Sequence, residues 1–178
     1  TLRDFRPLAM IARPPMLIIV HPSVPAQTVK ELIGVARAKP GALSFMSPGS
    51  GTPGHLAGEL FKRTTQVDML HVPYKGGAAA LNDLLAGQIQ LSFYNMAPAL
   101  PHVRAARLRG IAVTGEKRSA AAPEFPTVIE SGVPGFVVIG WWGVFAPAAT
   151  PAPVADRLAA EILRIFETPP TRQELVAQ

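Results

Sequence analysis

The apolar residues of this chain fall into short runs that follow two different periodicities. Met16–Val20 is a continuous apolar run, which is typical of a strand buried on both faces. Residues 28–38 instead carry their apolar side chains on one stripe and stop near Lys39 and Pro40, as a helix does. The same reasoning predicts strands at 8–12, 43–46, 68–72, 89–93, 108–113, 136–139 and 142–145, and helices at 54–64, 77–86, 98–106, 126–131 and 151–166.

Strands that alternate with helices of about ten residues indicate βαβ crossovers. The expected fold class is therefore α/β, with a mostly parallel sheet flanked by helices. In such sheets ligands bind beyond the carboxyl ends of the strands, where the strand-to-helix loops gather. The candidate functional loops are those that follow Met46, Val72 and Phe93.

The loop after Met46 has the composition of an anion site built from backbone groups. Its glycines permit close approach and positive φ, Thr52 suits a helix N-cap, and Pro53 suits the first helical position. Free N–H groups and the positive end of the helix dipole would then meet a carboxylate or a phosphate. A well-capped helix without a ligand is the alternative. The candidate ligand-binding residues here are Ser47, Gly49, Ser50, Gly51, Thr52 and His55.

The same loop also contains a formal G-x-G-x-x-G pattern at Gly49, Gly51 and Gly54, as in dinucleotide-binding folds. Asp68 lies about 20 residues further on, the distance expected of a ribose-binding acid. It falls at the start of the next predicted strand, however, whereas that acid belongs at the strand's end. A dinucleotide-binding oxidoreductase domain is kept as the alternative function.

The next two loops repeat the order of strand, polar or glycine residues, and helix. The second loop offers Tyr74, Lys75, Gly76 and Gly77, in which the lysine adds a positive charge and the tyrosine an aromatic wall with a hydroxyl. The third offers Tyr94 and Asn95, and the amide of Asn95 can both donate and accept. The simpler alternatives are that Lys75 is an exposed surface lysine and that Asn95 is a turn residue.

Composition narrows the function classes further. The chain has 178 residues, 48% of them apolar, a net charge of +5 and no cysteine, so a packed core is expected and thiol chemistry is excluded. The basic residues at 104–118 carry no interleaved aromatics, so no nucleic acid is expected. The apolar runs are too short to span a bilayer. No acid–base or nucleophile motif is present and the four histidines are dispersed, so we expect no catalytic residue, no metal and no cofactor.

Several ordered motifs resemble one family, the Bug or TctC-type extracytoplasmic solute receptors of tripartite tricarboxylate transporters. The motifs are Val24-Pro25-Ala26, the segment 49–61 with its His-Leu-Ala-Gly-Glu-Leu-Phe, His71-Val72-Pro73-Tyr74-Lys75-Gly76, Phe125-Pro126-Thr127-Val128 followed by Gly132-Val133-Pro134-Gly135, and the segment 143–151. They extend over nearly the whole chain.

The resemblance implies a non-catalytic periplasmic receptor with the type II periplasmic binding protein fold, in which two α/β lobes close over a small carboxylic acid. Family members bind dicarboxylates, tricarboxylates, amino acids or aromatic acids. The partners implied are the carboxylate and the membrane transporter subunits, and the location implied is the periplasm. The chain is expected to be a piece of a longer protein, lacking about its first third, with the secretion signal, and its C-terminal end.

Domain limits and site residues also follow from the resemblance. Residues 21–137 would form the ligand-binding lobe, while 1–20 and 138–178 would hold the hinge crossings and remnants of the other lobe. Ser47, 49–52 and 74–77 would line the cleft. Tyr94 stands where the family commonly has Asp before Asn95, which weakens the case for an amino-acid ligand.

Overall fold

A computed structural model describes residues 2–171 of the chain, which form two compact units. The larger unit spans Pro14–Gly140, and the smaller one combines the segments before and after it. In chain order the elements are a short 3-10 helix (Leu2–Asp4), β1 (Phe5–Ala12), β2 (Met16–Val20), α1 (Val29–Ala38), β3 (Ser44–Ser47), α2 (Pro53–Thr65), β4 (Leu70–Pro73), α3 (Gly77–Leu85), β5 (Leu91–Asn95), α4 (Met96–Arg104), β6 (Arg109–Val113), β7 (Trp142–Pro147) and α5 (Ala152–Glu167).

The larger unit contains a five-stranded mixed sheet in the order β4-β3-β5-β2-β6. β3 is parallel to β4 and to β5, whereas β2 is antiparallel to β5 and to β6. The predicted α/β fold is confirmed, but the expectation of a mostly parallel sheet was wrong for the two pairings of β2. The apolar run of β2 indicates that the strand is buried on both faces. Such burial occurs with either strand direction, so the run did not reveal the antiparallel pairing.

Helices cover both faces of this sheet, and β2 shows why. Its residues alternate between two apolar clusters, with Ile18 in one and Leu17 and Ile19 in the other. Residues of α1 and α2 complete the first cluster, and residues of α3 and α4 complete the second. Each of these helices is therefore fixed by packing on one face of the sheet, and this packing fixes the position of the loop that precedes it.

Two apolar segments that were predicted as regular elements fold differently. Residues 126–131 form turns closed by a reciprocal pair of bonds rather than a helix: the Thr127 N–H donates to Glu130 Oε2 (2.7 Å), and the Glu130 N–H donates to Thr127 Oγ1 (3.0 Å). Residues 136–139 form no strand, and Ile139 makes only an isolated bridge with Pro15. Phe136 is fully buried in the core, so its segment is apolar because of packing and not because of pairing.

The smaller unit is built on the antiparallel pair β1 and β7, with α5 packed against β1. Arg6 on β1 and Asp156 on α5 form a salt bridge of 2.7 Å. Pro151 is the N-cap residue of α5, so the predicted helix at 151–166 is confirmed to within one residue at each end. Within residues 2–171, no helix has the length and apolar character that crossing a membrane requires.

Candidate functional site

Two of the predicted functional loops meet at one edge of the sheet. β4, β3 and β5 are adjacent and parallel, so their carboxyl ends lie at the same edge. We call residues 48–52, between β3 and α2, the first loop, and residues 74–76, between β4 and α3, the second loop. The Tyr74 N–H donates to the Ser47 carbonyl (3.0 Å), and the Gly76 N–H donates to the Pro48 carbonyl (3.1 Å). Backbone bonds therefore fix the two loops relative to each other.

The start of α2 is seated directly on the neighbouring strand β5. A Cβ atom added to Gly54 would lie 2.7 Å from the Phe93 carbonyl oxygen, which is closer than real Cβ contacts allow. Gly54 is buried, and only glycine permits this approach of helix and strand. The third glycine of the G-x-G-x-x-G pattern is thus explained by packing.

The start of α2 leaves backbone donors available. Across the described residues 2–171, the N–H groups of Ser50, Gly54 and His55 have no hydrogen-bond acceptor. The N–H groups of a first helical turn point out along the helix axis, where the dipole adds about half a positive charge. These three N–H groups are therefore available as hydrogen-bond donors at the start of α2.

The remaining amides of the first loop maintain its shape. The Gly49 N–H donates to Ser47 Oγ (3.3 Å), the Gly51 N–H to His55 Nδ1 (3.0 Å), and the Thr52 N–H to the Gly49 carbonyl (3.3 Å). Thr52 is the N-cap as predicted, but its hydroxyl donates to the Gly49 carbonyl (2.7 Å) and makes no cap bond. Gly51 has φ +80°, a conformation that favours glycine.

The second loop ends in another helix start with unused donors. Within the described part of the chain, the N–H groups of Gly77, Ala78 and Ala79 donate to no backbone or side-chain acceptor. Gly76 precedes them at φ +130°, and Lys75 is exposed, with no ion pair to any residue of 2–171. Two helix N-termini and one free ammonium group therefore belong to neighbouring loops.

A stack of aromatic rings supports the first loop. The ring of His55 lies 4.1 Å from that of His71, and the ring of His71 lies 4.9 Å from that of Phe45, all measured between centroids. His71 Nε2 is 2.7 Å from Oγ of the buried Ser47. Because the Gly51 N–H donates to His55 Nδ1, the neutral His55 ring carries its proton on Nε2.

His71 was not singled out from the sequence. Its place in the site depends on the parallel register, which pairs His71 with Phe45 on the adjacent strand. Register cannot be read from one sequence. Burial lowers the pKa of His71 from its ordinary value of 6.5, and electrostatic interactions with His55 and Lys62 lower it further against the opposing effect of Glu59. The imidazole is therefore held in its neutral form.

This lowered pKa predicts that the protein is less stable in acid. The unfolded chain protonates His71 near pH 6.5 and the folded chain only at a lower pH, so the unfolded state binds more protons in between. The stabilising contribution is complete above pH 6.5 and is lost as the pH falls through the folded-state pKa. Urea denaturation between pH 5 and pH 8 measures this slope, which should be smaller for His71→Gln. An unchanged slope in that variant would contradict the assignment.

The two tyrosine hydroxyls near the site already have partners. The Tyr74 hydroxyl donates to Asp83 Oδ2 (2.6 Å), and this bond, together with burial, raises the pKa of Tyr74 to about 12. The Tyr94 hydroxyl donates to the Gly77 carbonyl (2.9 Å), its ring is buried, and burial raises its pKa. Asn95 is half-buried as the N-cap of α4, and its amide bonds to no side chain or backbone group within 2–171.

The described residues hold no group of three or more histidine, aspartate or glutamate side chains placed to bind a metal ion. What the site offers is a set of backbone N–H groups, the ammonium of Lys75 and the amide of Asn95. This donor set suits a negatively charged solute, since an anion accepts hydrogen bonds and is attracted by a positive charge.

The fold is that of the periplasmic binding protein class. The structure of R. palustris Rpa4515 with adipate matches 97% of this chain at 36% identity with a TM-score of 0.94, and the chain covers 58% of that protein. MatC (Rpa3494) from Rhodopseudomonas palustris with bound malate matches 98% of the chain at 28% identity with a TM-score of 0.90, and 59% of that protein is covered.

Residues 1–178 match the family model described as the tripartite tricarboxylate transporter family receptor, TctC. The chain belongs to this family. A relative from Pseudomonas sp. (strain P51), described as a UPF0065 protein in the tcbD-tcbE intergenic region, is 39% identical over 94% of the chain and 50% of its own length. The chain thus spans about half the length of the curated relatives it matches.

The comparisons confirm the resemblance inferred from the sequence motifs and the type of fold that it implies. The family consists of solute-binding receptors and not of enzymes, in agreement with the expectation of a non-catalytic protein. The alternative of a dinucleotide-dependent oxidoreductase was wrong. In this chain Gly54 permits the close contact of α2 with β5, a role that the third glycine of the dinucleotide-binding pattern also has, so the pattern alone does not identify a dinucleotide site.

Proposed function

We propose that the protein is a periplasmic receptor that captures a small carboxylate and delivers it to a tripartite tricarboxylate-type transporter. The observation that carries the proposal is the pair of helix N-termini at one sheet edge, whose N–H groups at Ser50, Gly54 and His55 and at 77–79 lack acceptors within residues 2–171. Neutral N–H donors backed by helix dipoles suit a carboxylate without fixing it irreversibly. Such binding permits the release that delivery requires.

The solute class is inferred from the same donors. Lys75 is the exposed formal cation of these loops, and no arginine belongs to them, so one carboxylate can be met by N–H groups while Lys75 adds long-range attraction. Adipate and malate are the acids named with two similar solved proteins, and both are dicarboxylates. We place a dicarboxylate first, ahead of a tricarboxylate, an amino acid or an aromatic acid.

The division into lobes belongs to the same proposal. Residues 21–137 would form the ligand-binding lobe, with 1–20 and 138–178 supplying hinge crossings and parts of the second lobe. The compact unit Pro14–Gly140 supports this reading, since it encloses the proposed lobe. The sites named from the sequence within it are Ser47, Gly49, Ser50, Gly51, Thr52, His55, Tyr74, Lys75, Gly76, Gly77, Tyr94 and Asn95.

Isothermal titration calorimetry on the complete gene product tests the function. The panel is adipate, malate, citrate, glutamate, nicotinate and NAD. We expect saturable binding of at least one of the carboxylic acids and none of NAD. Binding of NAD with no carboxylate bound would overturn the receptor proposal.

The role of Lys75 gives a separate prediction. Lys75→Gln should weaken carboxylate binding about two- to fivefold, the range expected for one exposed charge, and should reduce the salt dependence of the affinity. Lys30→Gln is the matched control, because Lys30 is an exposed lysine on α1. Equal effects of the two substitutions on the affinity would show that only the net charge of the protein matters and that Lys75 does not act at the binding site.

A further inference from the structure

Tyr94 and Gly77 occupy complementary positions beneath the second helix start. Tyr94 is 7% exposed and belongs to the apolar cluster that includes Leu17, Met46 and residues of α3 and α4. Its hydroxyl donates to the carbonyl of Gly77, the first residue of α3, over 2.9 Å. A Cβ atom on Gly77 would lie 2.6 Å from that hydroxyl oxygen. The tyrosine therefore fills the place that a side chain at position 77 would take.

This contact links two segments that the sheet order separates. Tyr94 is the penultimate residue of β5, whereas Gly77 begins the helix that follows β4, and β3 lies between these strands. A tyrosine ring has few rotamers and is packed here on the sheet, so the hydroxyl is a rigid support. The distance of the α3 N-terminus from the sheet is then set by the length of one side chain.

The support bears on the binding donors. The N–H groups of Gly77, Ala78 and Ala79 are the unused donors of the second loop, and they begin at the residue that Tyr94 holds. Donors in a binding site act only when they are held within about 0.5 Å of the productive position. A small displacement of this helix start would therefore weaken an anion bound there.

We propose that Tyr94 is a positioning residue for carboxylate binding: its hydroxyl, in the space that Gly77 leaves open, holds the α3 N-terminus where its free N–H groups meet the ligand. This inference rests on the proposed carboxylate function. Tyr94 acts through the backbone of α3 and not by touching the ligand, since its hydroxyl is bonded and its ring is buried.

A double-mutant cycle on the complete gene product tests it, with adipate and malate as the probes. Tyr94→Phe should weaken binding about three- to tenfold, since the hydroxyl support is lost. Gly77→Ala should weaken it at least tenfold, because the new Cβ meets the hydroxyl. The double variant should bind more tightly than Gly77→Ala alone, because without the hydroxyl the nearest ring atom lies 3.5 Å from the Cβ, an ordinary contact.

Two control substitutions separate positioning from general loss of stability. Gly34→Ala adds a methyl group where no atom lies within 4 Å, and Ser131→Ala removes a hydroxyl bond to a carbonyl elsewhere in the unit. Both should leave the affinity unchanged. Strictly additive effects of Gly77→Ala and Tyr94→Phe, or an unchanged affinity in Tyr94→Phe, would overturn the proposal.

A second readout remains informative if no carboxylate binds. The backbone N–H chemical shifts of residues 77–79, measured by NMR, should move in Tyr94→Phe and in Gly77→Ala and return toward the native values in the double variant. If the native protein binds none of the carboxylic acids of the panel while this reversal is seen, the proposed ligand class fails and the positioning of the α3 N-terminus by Tyr94 stands. Absence of any shift at 77–79 in Tyr94→Phe overturns the positioning role.

Discussion

Gly54→Ala is expected to destabilise the larger unit by about 2 kcal/mol and to weaken carboxylate binding more than tenfold. The added Cβ would lie 2.7 Å from the Phe93 carbonyl oxygen, a backbone atom of β5 in the interior of the sheet that no rotamer change can displace. Overpacking of this kind costs about 3 kcal/mol, and the better helix propensity of alanine offsets about 1 kcal/mol of it. The start of α2 must therefore move away from the sheet.

The loss of binding has a direct structural cause. The unused N–H groups of Gly54 and His55 lie in the turn that would be displaced, so an anion would lose donors from the first loop. Urea denaturation and calorimetry with the best carboxylate of the panel measure the two effects. Gly34→Ala is the matched control, since the methyl group has open space on α1 and should stabilise the protein by up to about 1 kcal/mol. Equal changes of stability and affinity in Gly54→Ala and Gly34→Ala would contradict the close contact of α2 with β5.

Gly58→Ala is expected to destabilise the larger unit by about 3 kcal/mol. The Cβ would fall 2.1 Å from Cε2 and 2.6 Å from Cδ2 and Cζ of Phe45. Phe45 is fully buried, stacked on His71 and in edge contact with Phe93, so its ring has no space into which to rotate. The strain should therefore spread to the histidine stack that supports the first loop.

A compensating substitution makes this prediction specific. In Gly58→Ala combined with Phe45→Leu, the ring that meets the new methyl group is absent, so the double variant should be more stable than the sum of the two single effects predicts. The midpoint of urea denaturation provides the comparison. If the effects of the two substitutions simply add, the close approach of Gly58 to Phe45 is not the cause of the destabilisation in Gly58→Ala.

Much of the local structure of the first loop could be predicted because it depends on adjacent residues. Thr52 and Pro53 identified the start of α2, and Thr28 does the same for α1, where its hydroxyl accepts the Glu31 N–H. These features follow from backbone geometry and from orphan N–H groups at helix ends. The family resemblance came from the same short motifs.

Other features of the site were not predicted, because they depend on contacts distant in sequence. Tyr94 stays a predicted site residue, but the sequence did not show that its hydroxyl reaches the carbonyl of Gly77. His71 received no role, although the register of β4 on β3 places it beside Phe45 and under His55. The spacing of residues along one strand does not reveal which residue of the next strand lies opposite.

Local chemistry alone was thus sufficient for the alternation of strands and helices, for the glycine-rich turn before α2 and for the family of the protein. The antiparallel direction of β2, the burial of Phe136 without pairing, and the division of the first-loop amides between internal bonds and free donors were decided only when the chain packed. Turn and cap preferences act over a few residues and can be recognised in one segment. Strand direction, register and close backbone approach are properties of pairs of segments, and they take their values from the packed sheet as a whole.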